Sequence, residues 1–241
     1  MRSRSVIFLI SVVSCIITNV GCYMPRPAVL PSAEVTKGIW LWRGAFIGNK
    51  WPSFEAIDEP EDEGKGSIAG LFLSGMYGVS DTRGYFLSLH GGRLIGREKD
   101  KTEDYSGYSL SAGLVFQTKG KMSEQDEEKT AVSFYFGLGL SYRKYKYVDI
   151  LSPEDNERRE GMTPDTHCGM QVTVPFSSRV ALEYFLDLHG LFSATLTPGI
   201  GLVYRLTEKE TGPAVALDVM LNFCGMTDVT EPATASVALI W

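Results

Sequence analysis

Between Val132 and Tyr142 the chain alternates strictly. Val132, Phe134, Phe136, Leu138, Leu140 and Tyr142 interleave with Ser133, Tyr135, Gly137, Gly139 and Ser141. Successive side chains of a strand point to opposite faces, so a period of two predicts a strand with two unlike faces. It excludes an amphipathic helix, whose apolar positions recur every three and four residues. The pattern returns along the chain. Tyr108, Leu110, Ala112, Leu114 and Phe116 oppose Ser109, Ser111 and Gly113; Val180, Leu182, Tyr184, Leu186 and Leu188 oppose Glu183, Asp187 and His189. Val215 to Phe223, Ile200 to Tyr204, Met170 to Val174, Tyr85 to Gly91 and, less cleanly, Ala69 to Tyr77 repeat it.

The second face decides which side is inside. A soluble β-domain buries its large apolar residues and exposes charged ones. Here the second face is mostly Gly, Ser, Ala and Thr with an occasional ionisable group, which suits a narrow, crowded lumen. The large face is nearly free of charge over the length of a tilted membrane strand, about 9 to 11 residues. The expected fold is therefore an all-β, antiparallel transmembrane barrel of about eight to ten strands, with large residues toward lipid and small ones toward the lumen. The alternative is a soluble β-domain with the two faces inverted.

Strands are expected near 38–47, 66–78, 83–97, 105–118, 131–148, 166–175, 179–190, 194–206, 213–223 and 232–241. The first is the weakest; if it stays outside the wall, eight strands become the alternative. An even count places both termini in the periplasm. Val79–Thr82 and Phe176–Ser178 then read as tight periplasmic turns, and Asn49–Lys65, Val148–Asp165 and Gly225–Glu231 as outer loops. Trp40, Trp42, Tyr142, Tyr145 and Tyr147 stand near strand ends, where interfacial aromatic girdles form.

Arg2 and Arg4 precede an uncharged apolar run, Val6 to Ile17, which reads as an export signal. Asn19-Val20-Gly21-Cys22 follows it and resembles a bacterial lipoprotein signal, which implies acylation at Cys22; Cys15, after Val12-Val13-Ser14, is a second candidate. The organisation expected is a signal peptide at 1–21, a Pro-rich tether at 22–37 carrying Pro25, Pro27 and Pro31, and a barrel at 38–241.

The chain ends Thr234-Ala235-Ser236-Val237-Ala238-Leu239-Ile240-Trp241. This alternation closing on an aromatic residue resembles bacterial outer-membrane β-barrel proteins, with small barrels like the OmpA transmembrane domain as the nearest class. The resemblance implies residence in the outer membrane of a Gram-negative bacterium and contact with its lipid. It also implies that Trp241 is read by the barrel-assembly machinery, although Phe is the more usual last residue.

With 23 basic and 29 acidic residues the net charge is −6 and the basic residues are scattered, which argues against a nucleic-acid partner. Three His and four Cys make a Cys/His zinc module a poor reading, and no metal or cofactor is expected. The ionisable residues His90, Arg143, Glu183, Asp187, His189, Arg205 and Asp218 fall on the lumen face, where they are expected to pair or meet water. The plainest reading is a charge network filling a structural or surface-interaction barrel, with any extracellular ligand unidentified. A small gated channel is the alternative. A lipid-modifying enzyme is the third reading, with Asp187 orienting His189 as a base and Ser193 nearby. Asp58-Glu59-Pro60-Glu61-Asp62-Glu63 reads as a solvated acidic loop, and Cys168 with Cys224 as a candidate disulfide.

Overall fold

A computed structural model describes residues 26–48, 65–98, 101–119, 130–190, 195–207, 212–221, 223–224 and 234–241. Its strands are β1 (Trp40–Gly48), β2 (Lys65–Ser80), β3 (Arg83–Glu98), β4 (Lys101–Lys119), β5 (Ala131–Asp149), β6 (Glu157–Pro175), β7 (Val180–His189), β8 (Thr195–Arg205), β9 (Ala214–Met220), β10 (Phe223–Cys224) and β11 (Thr234–Ile240). A short 3₁₀ turn, Pro153–Asp155, lies between β5 and β6.

Every neighbouring pair is antiparallel, and the sheet runs β8-β7-β6-β5-β4-β3-β2-β1-β11-β9 before β9 returns to β8 and closes it. β10 extends the register of β9 along β8, since Met220 faces Gly199 and Phe223 faces Leu196. The wall therefore has ten strands. Closure is made at the C-terminus, where β11 pairs with β1 and the backbones of Trp42 and Trp241 exchange hydrogen bonds of 2.8 and 3.0 Å. The strand at 38–47, weakest in the sequence, is a full member of the wall, held on both sides.

The two faces fall as the alternation dictates. On β5, Phe136, Leu138 and Leu140 expose 51%, 60% and 54% of their surface on the outside, while Ser133 and Tyr135 are buried within. The same outward row continues through Leu71, Leu89, Leu110, Leu186, Leu217 and Leu239. In water so much contiguous apolar surface would be untenable. In lipid it is the solvent-facing side, and closure leaves no unpaired edge within the hydrocarbon. Aromatic clusters rim the belt: Trp40 stacks on Trp42 at 5.4 Å and leans on Tyr77 at one end, and Tyr108 stacks on Tyr142 at 5.1 Å toward the other. An even-stranded, closed, up-and-down barrel with such a belt is the architecture of a bacterial outer-membrane protein.

The connections define two ends. Asp81–Thr82, residues 176–179 and the C-terminal Trp241 share one, the turn end; residues 150–156 lie at the other, the loop end. Short turns mark the periplasmic side and longer connections the outer side. The expected outer loop at 148–165 is corrected here: β6 begins at Glu157 and pairs with β5 from Tyr147 to Ala131. Its first residues, Glu157-Arg158-Arg159-Glu160, stand beyond the belt in water, so they form a strand without the apolar alternation by which the others are recognised. β2 to β6, at 16 to 19 residues, thus outreach the 7 to 11 of β1, β7, β8, β9 and β11.

The Pro-rich stretch expected as an outer tether takes a different course. Residues 26–35 do not lie outside the barrel but run inside it, as an irregular strap, bent at residues 29–31 and 33, whose Arg26, Ala28, Val29, Leu30 and Ala33 are at most 2% exposed. Ala28 packs with Ile47, Phe72 and Phe185, and Val29, Leu30 and Val35 pack with Leu41, Met76, Phe86 and Val115. Pro27 and Pro31 lack backbone donors, which lowers the number of polar groups the strap must satisfy away from water. At the turn end Gly38, at φ +75°, reverses the chain into β1, and its N–H donates to the Gly78 carbonyl at 2.8 Å. Such a φ favours glycine. An even wall does return β1 and β11 to one side, but the strap adds a further crossing through the lumen, so Arg26, the first described residue, lies at the loop end while the C-terminus lies at the turn end.

The signal segment, Cys15, Cys22, the acidic run at 58–63 and Ser193 lie outside the described residues.

Candidate functional site

The lumen is built from the inward face of each strand, where Gly, Ser and Thr leave room for a few large groups. A Cβ on Gly137 would meet the Phe86 ring, and one on Gly199 the Phe185 ring. The small lumen residues are thus the space into which large inward side chains fit.

Near the turn end, Arg43 of β1 is fully buried and divides its guanidinium between two carboxylates. Nη1 donates to Glu183 Oε2 at 2.8 Å, and Nη2 to Asp218 at 2.7 and 2.6 Å. Ser236 Oγ donates to Asp218 Oδ2 at 2.7 Å, and Gln171 Nε2 to Glu183 Oε1 at 3.3 Å. Three strands, β1, β7 and β9, are tied across the lumen through one cation, and Ser236 of β11 and Gln171 of β6 join them through its two carboxylates. Buried charge is tolerated when paired in this way, and removing one partner is costly.

Toward the loop end, Arg26 of the strap takes the corresponding place. Its Nη2 donates to Asp165 Oδ2 at 2.7 Å and Ser109 Oγ at 2.9 Å, and its Nη1 lies against the ring nitrogens of His167. Ser141 Oγ donates to the same Asp165 oxygen at 3.0 Å. His167 stacks on His189 at 6.1 Å, and the Nδ1 of His189 is 2.8 Å from Asp187 Oδ2. The other Asp187 oxygen accepts from Tyr135 Oη at 2.8 Å. His90 reaches the same level, edge-on to Phe72. All three histidines of the chain are thus buried inside the barrel.

Below Arg26 the strap is held mainly by side chains of the wall. Ser133 Oγ donates to the Ala33 carbonyl at 2.5 Å, the Ala33 N–H to Thr173 Oγ1 at 3.4 Å, and the Val35 N–H to Gln117 Oε1 at 2.8 Å. A parallel bridge at Lys37 and Gly78 is its attachment to the sheet.

Of the seven lumen residues expected from sequence, Glu183 and Asp218 join around Arg43, and Asp187 and His189 join each other. His90 is buried nearby. Arg205 is inward and buried on the last turn-end residue of β8, apart from both clusters. Arg143 is half-buried on the extension of β5 opposite Gly161. Sequence reading missed Arg43, Arg26, Asp165, His167 and Tyr135. Arg43 was legible, since Leu41, Arg43, Ala45 and Ile47 share one face of a strand whose other face holds Trp42 and Phe46. Arg26 carried no such signal, because nothing periodic places a Pro-rich segment inside a barrel. Cys168 is a free thiol on the exposed outer face, so the expected disulfide to Cys224 is not formed. The two positions are separated by β7 and β8, three spacings of about 4.8 Å, well beyond the ~7 Å that a bridge spans.

Among the described residues no three His, Cys, Asp or Glu side chains are grouped so as to hold a metal ion.

No family model matches the chain, and no curated protein matches it. Solved structures similar to it include Ail, the attachment invasion locus protein of Yersinia pestis, at 14% identity and TM-score 0.37, covering 85% of this chain and 97% of that one. The translocator domain of the autotransporter NalP from Neisseria meningitidis is similar at 11% identity and TM-score 0.41, covering 99% and 94%. KdgM porin is similar at 9% identity and TM-score 0.33, covering 83% and 98%.

Proposed function

We propose that this protein is a closed outer-membrane barrel with a structural and surface-interaction role, and that it does not conduct in its resting form. The observation that carries this reading is the strap. A segment with buried Ala28, Val29, Leu30 and Ala33 occupies the lumen between two side-chain clusters, each centred on a buried arginine. The surface role is supported by β2 to β6, which carry the paired Arg93 and Asp104, and Lys144, Lys146 and Glu157–Glu160, beyond the belt at the loop end. These are groups an extracellular partner could meet without the lumen being involved.

The test has two parts. Unboiled protein from the outer-membrane fraction should migrate differently from boiled protein, as a detergent-resistant barrel does. The same protein in planar bilayers should give no steady conductance steps. A mobility shift together with persistent open steps from the native chain would overturn the closed-lumen reading.

The gated channel has its own support. The strap pairs with the sheet at the Lys37–Gly78 bridge rather than as a wall strand, so its withdrawal would leave the ten-stranded wall intact. The enzyme reading has less: the Asp187–His189 contact at 2.8 Å is the orienting pair it calls for, but both side chains are buried in the filled lumen, with Tyr135 on the other Asp187 oxygen.

A further inference from the structure

The strap has a direction. Its C-terminal end is fixed at the turn end, where Val35 meets Gln117 and Gly38 meets Gly78. Its N-terminal end is fixed at the loop end. Arg26 is bonded to Asp165 and contacts His167, and His167 pairs with His189, the last residue of β7, which pairs in turn with Thr195, the first of β8. On β4 Arg26 meets Ser109 and Val35 meets Gln117, and on β6 Arg26 meets Asp165 and Ala33 meets Thr173, eight residue steps apart in each case. That is close to the length of a tilted membrane strand, about 9 to 11 residues. The strap therefore crosses the whole belt from within.

We propose that the chain is threaded through its own barrel, so that the exported N-terminus stands on the outer side of the membrane and an acylated Cys22 inserts its chains in the outer leaflet. This rests on the strap-filled lumen proposed above. Four residue steps separate Cys22 from Arg26, at most about 14 Å of chain. A return through the barrel to the periplasmic leaflet needs about 25 Å. Arg26 in its seat and Cys22 anchored in the periplasmic leaflet are therefore mutually exclusive. The seat itself favours threading. Arg26 carries a buried charge whose partners, Asp165, Ser109 and His167, belong to β6 and β4, and Ser141 of β5 completes the set. Leaving the seat empty would leave the Asp165 carboxylate buried without its cation, a costly state.

The experiment is sided labelling of the full-length chain in cells, with Cys168→Ser and Cys224→Ser as the parent that sets the baseline. Met24→Cys is compared with Glu154→Cys at the loop end and Asp81→Cys at the turn end, using a membrane-impermeant maleimide before and after the outer membrane is permeabilised. The heat-dependent mobility shift verifies that each variant has folded. Threading predicts that Met24→Cys labels in intact cells to the extent of Glu154→Cys, whereas Asp81→Cys labels only after permeabilisation. Labelling of Met24→Cys only after permeabilisation, or in neither state, overturns it. If bilayers stay silent in that case, the closed lumen stands and threading alone has failed; open steps from the native chain overturn both.

Discussion

Arg43 gives the sharpest energetic test of the lumen. Its guanidinium is fully buried and makes three charge-assisted contacts, at 2.8, 2.7 and 2.6 Å, to carboxylates on two other strands. Arg43→Met keeps most of the volume and removes the charge. Glu183 and Asp218 then retain only neutral donors, Gln171 and Ser236. Removing one partner of a buried ion pair costs about 3–5 kcal/mol. Two carboxylates share this cation, so the upper part of that range applies. With an m-value of about 2 kcal/mol per M of urea, a loss of about 4 kcal/mol moves the unfolding midpoint down by about 2 M. The assay is the fraction of heat-modifiable, folded barrel at each urea concentration, read from unboiled gels. The companion variant Arg43→Met/Glu183→Gln/Asp218→Asn removes the whole charge set and should recover most of the loss, because a fully neutral cluster has no stranded charge. A single variant within about 0.5 kcal/mol of the parent, the usual range for surface changes, would refute the account. So would a triple variant no more stable than the single one, since the loss would then come from packing and not from charge.

The remaining predictions address the strap, the loop-end sheet and the outer face. A Cβ on Gly78 would collide with the Thr36 carbonyl, whereas one on Gly161 meets nothing within 4 Å. Gly78→Val should unseat the foot of the strap and introduce conductance steps in bilayers, Gly161→Ala should not, and silence from a folded Gly78→Val would count against the strap as the seal. Beyond the belt, Arg93 grips both oxygens of Asp104 at 2.8 and 2.7 Å, and this hydrogen bonding holds the Asp104 carboxyl below its usual range. For a depressed carboxylate, stability is present above the unfolded pKa, about 3.9 for Asp, and is lost as pH falls through the lower folded value. Carboxyl carbon shifts followed by NMR should therefore show Asp104 titrating at lower pH in the parent than in Arg93→Gln, where it returns to the ordinary range; equal titration in both proteins would contradict the pairing. The thiol of Cys168 faces outward. In proteoliposomes it should react with a lipid-soluble maleimide and resist a charged one, and the reverse preference would place that face in water.

Much of the wall could be read from the sequence. The two-residue alternation placed all ten wall strands, generally within a few residues, because lipid and lumen impose opposite demands on adjacent side chains along the whole span. It failed where those demands lapse. Glu157–Glu160 carries charges on both faces and begins β6 beyond the belt, where water accepts either face, so its strand character is absent from the hydropathy pattern. The lumen was legible in part. Glu183, Asp187, His189 and Asp218 stood out as ionisable groups among small residues; Arg43, the cation of Glu183 and Asp218, shares its face with apolar Leu41, Ala45 and Ile47 rather than with Gly and Ser, and was passed over although the alternation of β1 places it inward. Asp165 and His167 were missed because they lie at the head of the regular alternation of β6. The strap was the largest omission. Pro25, Pro27 and Pro31 fit a tether outside the barrel as well as a strap inside it. What separates the two is tertiary: an acidic seat formed by Asp165, with Ser109, Ser141 and His167 around it, on three consecutive strands far from Arg26 in sequence.

The central claim is that the large-residue face meets lipid and the small-residue face meets a filled lumen. A spin-label scan of β5 from Ser133 to Ser141, one cysteine at a time in lipid vesicles with Cys168→Ser and Cys224→Ser in the background, tests it most directly. The account predicts a two-residue oscillation in which Phe134, Phe136, Leu138 and Leu140 positions are open to dissolved oxygen and closed to a polar nickel chelate, while Ser133, Tyr135, Gly137 and Ser141 positions are shielded from both. An oscillation of opposite phase, with the Ser and Gly positions open to the chelate and the Phe and Leu positions shielded from oxygen, would contradict it and describe a water-soluble β-domain with its faces reversed.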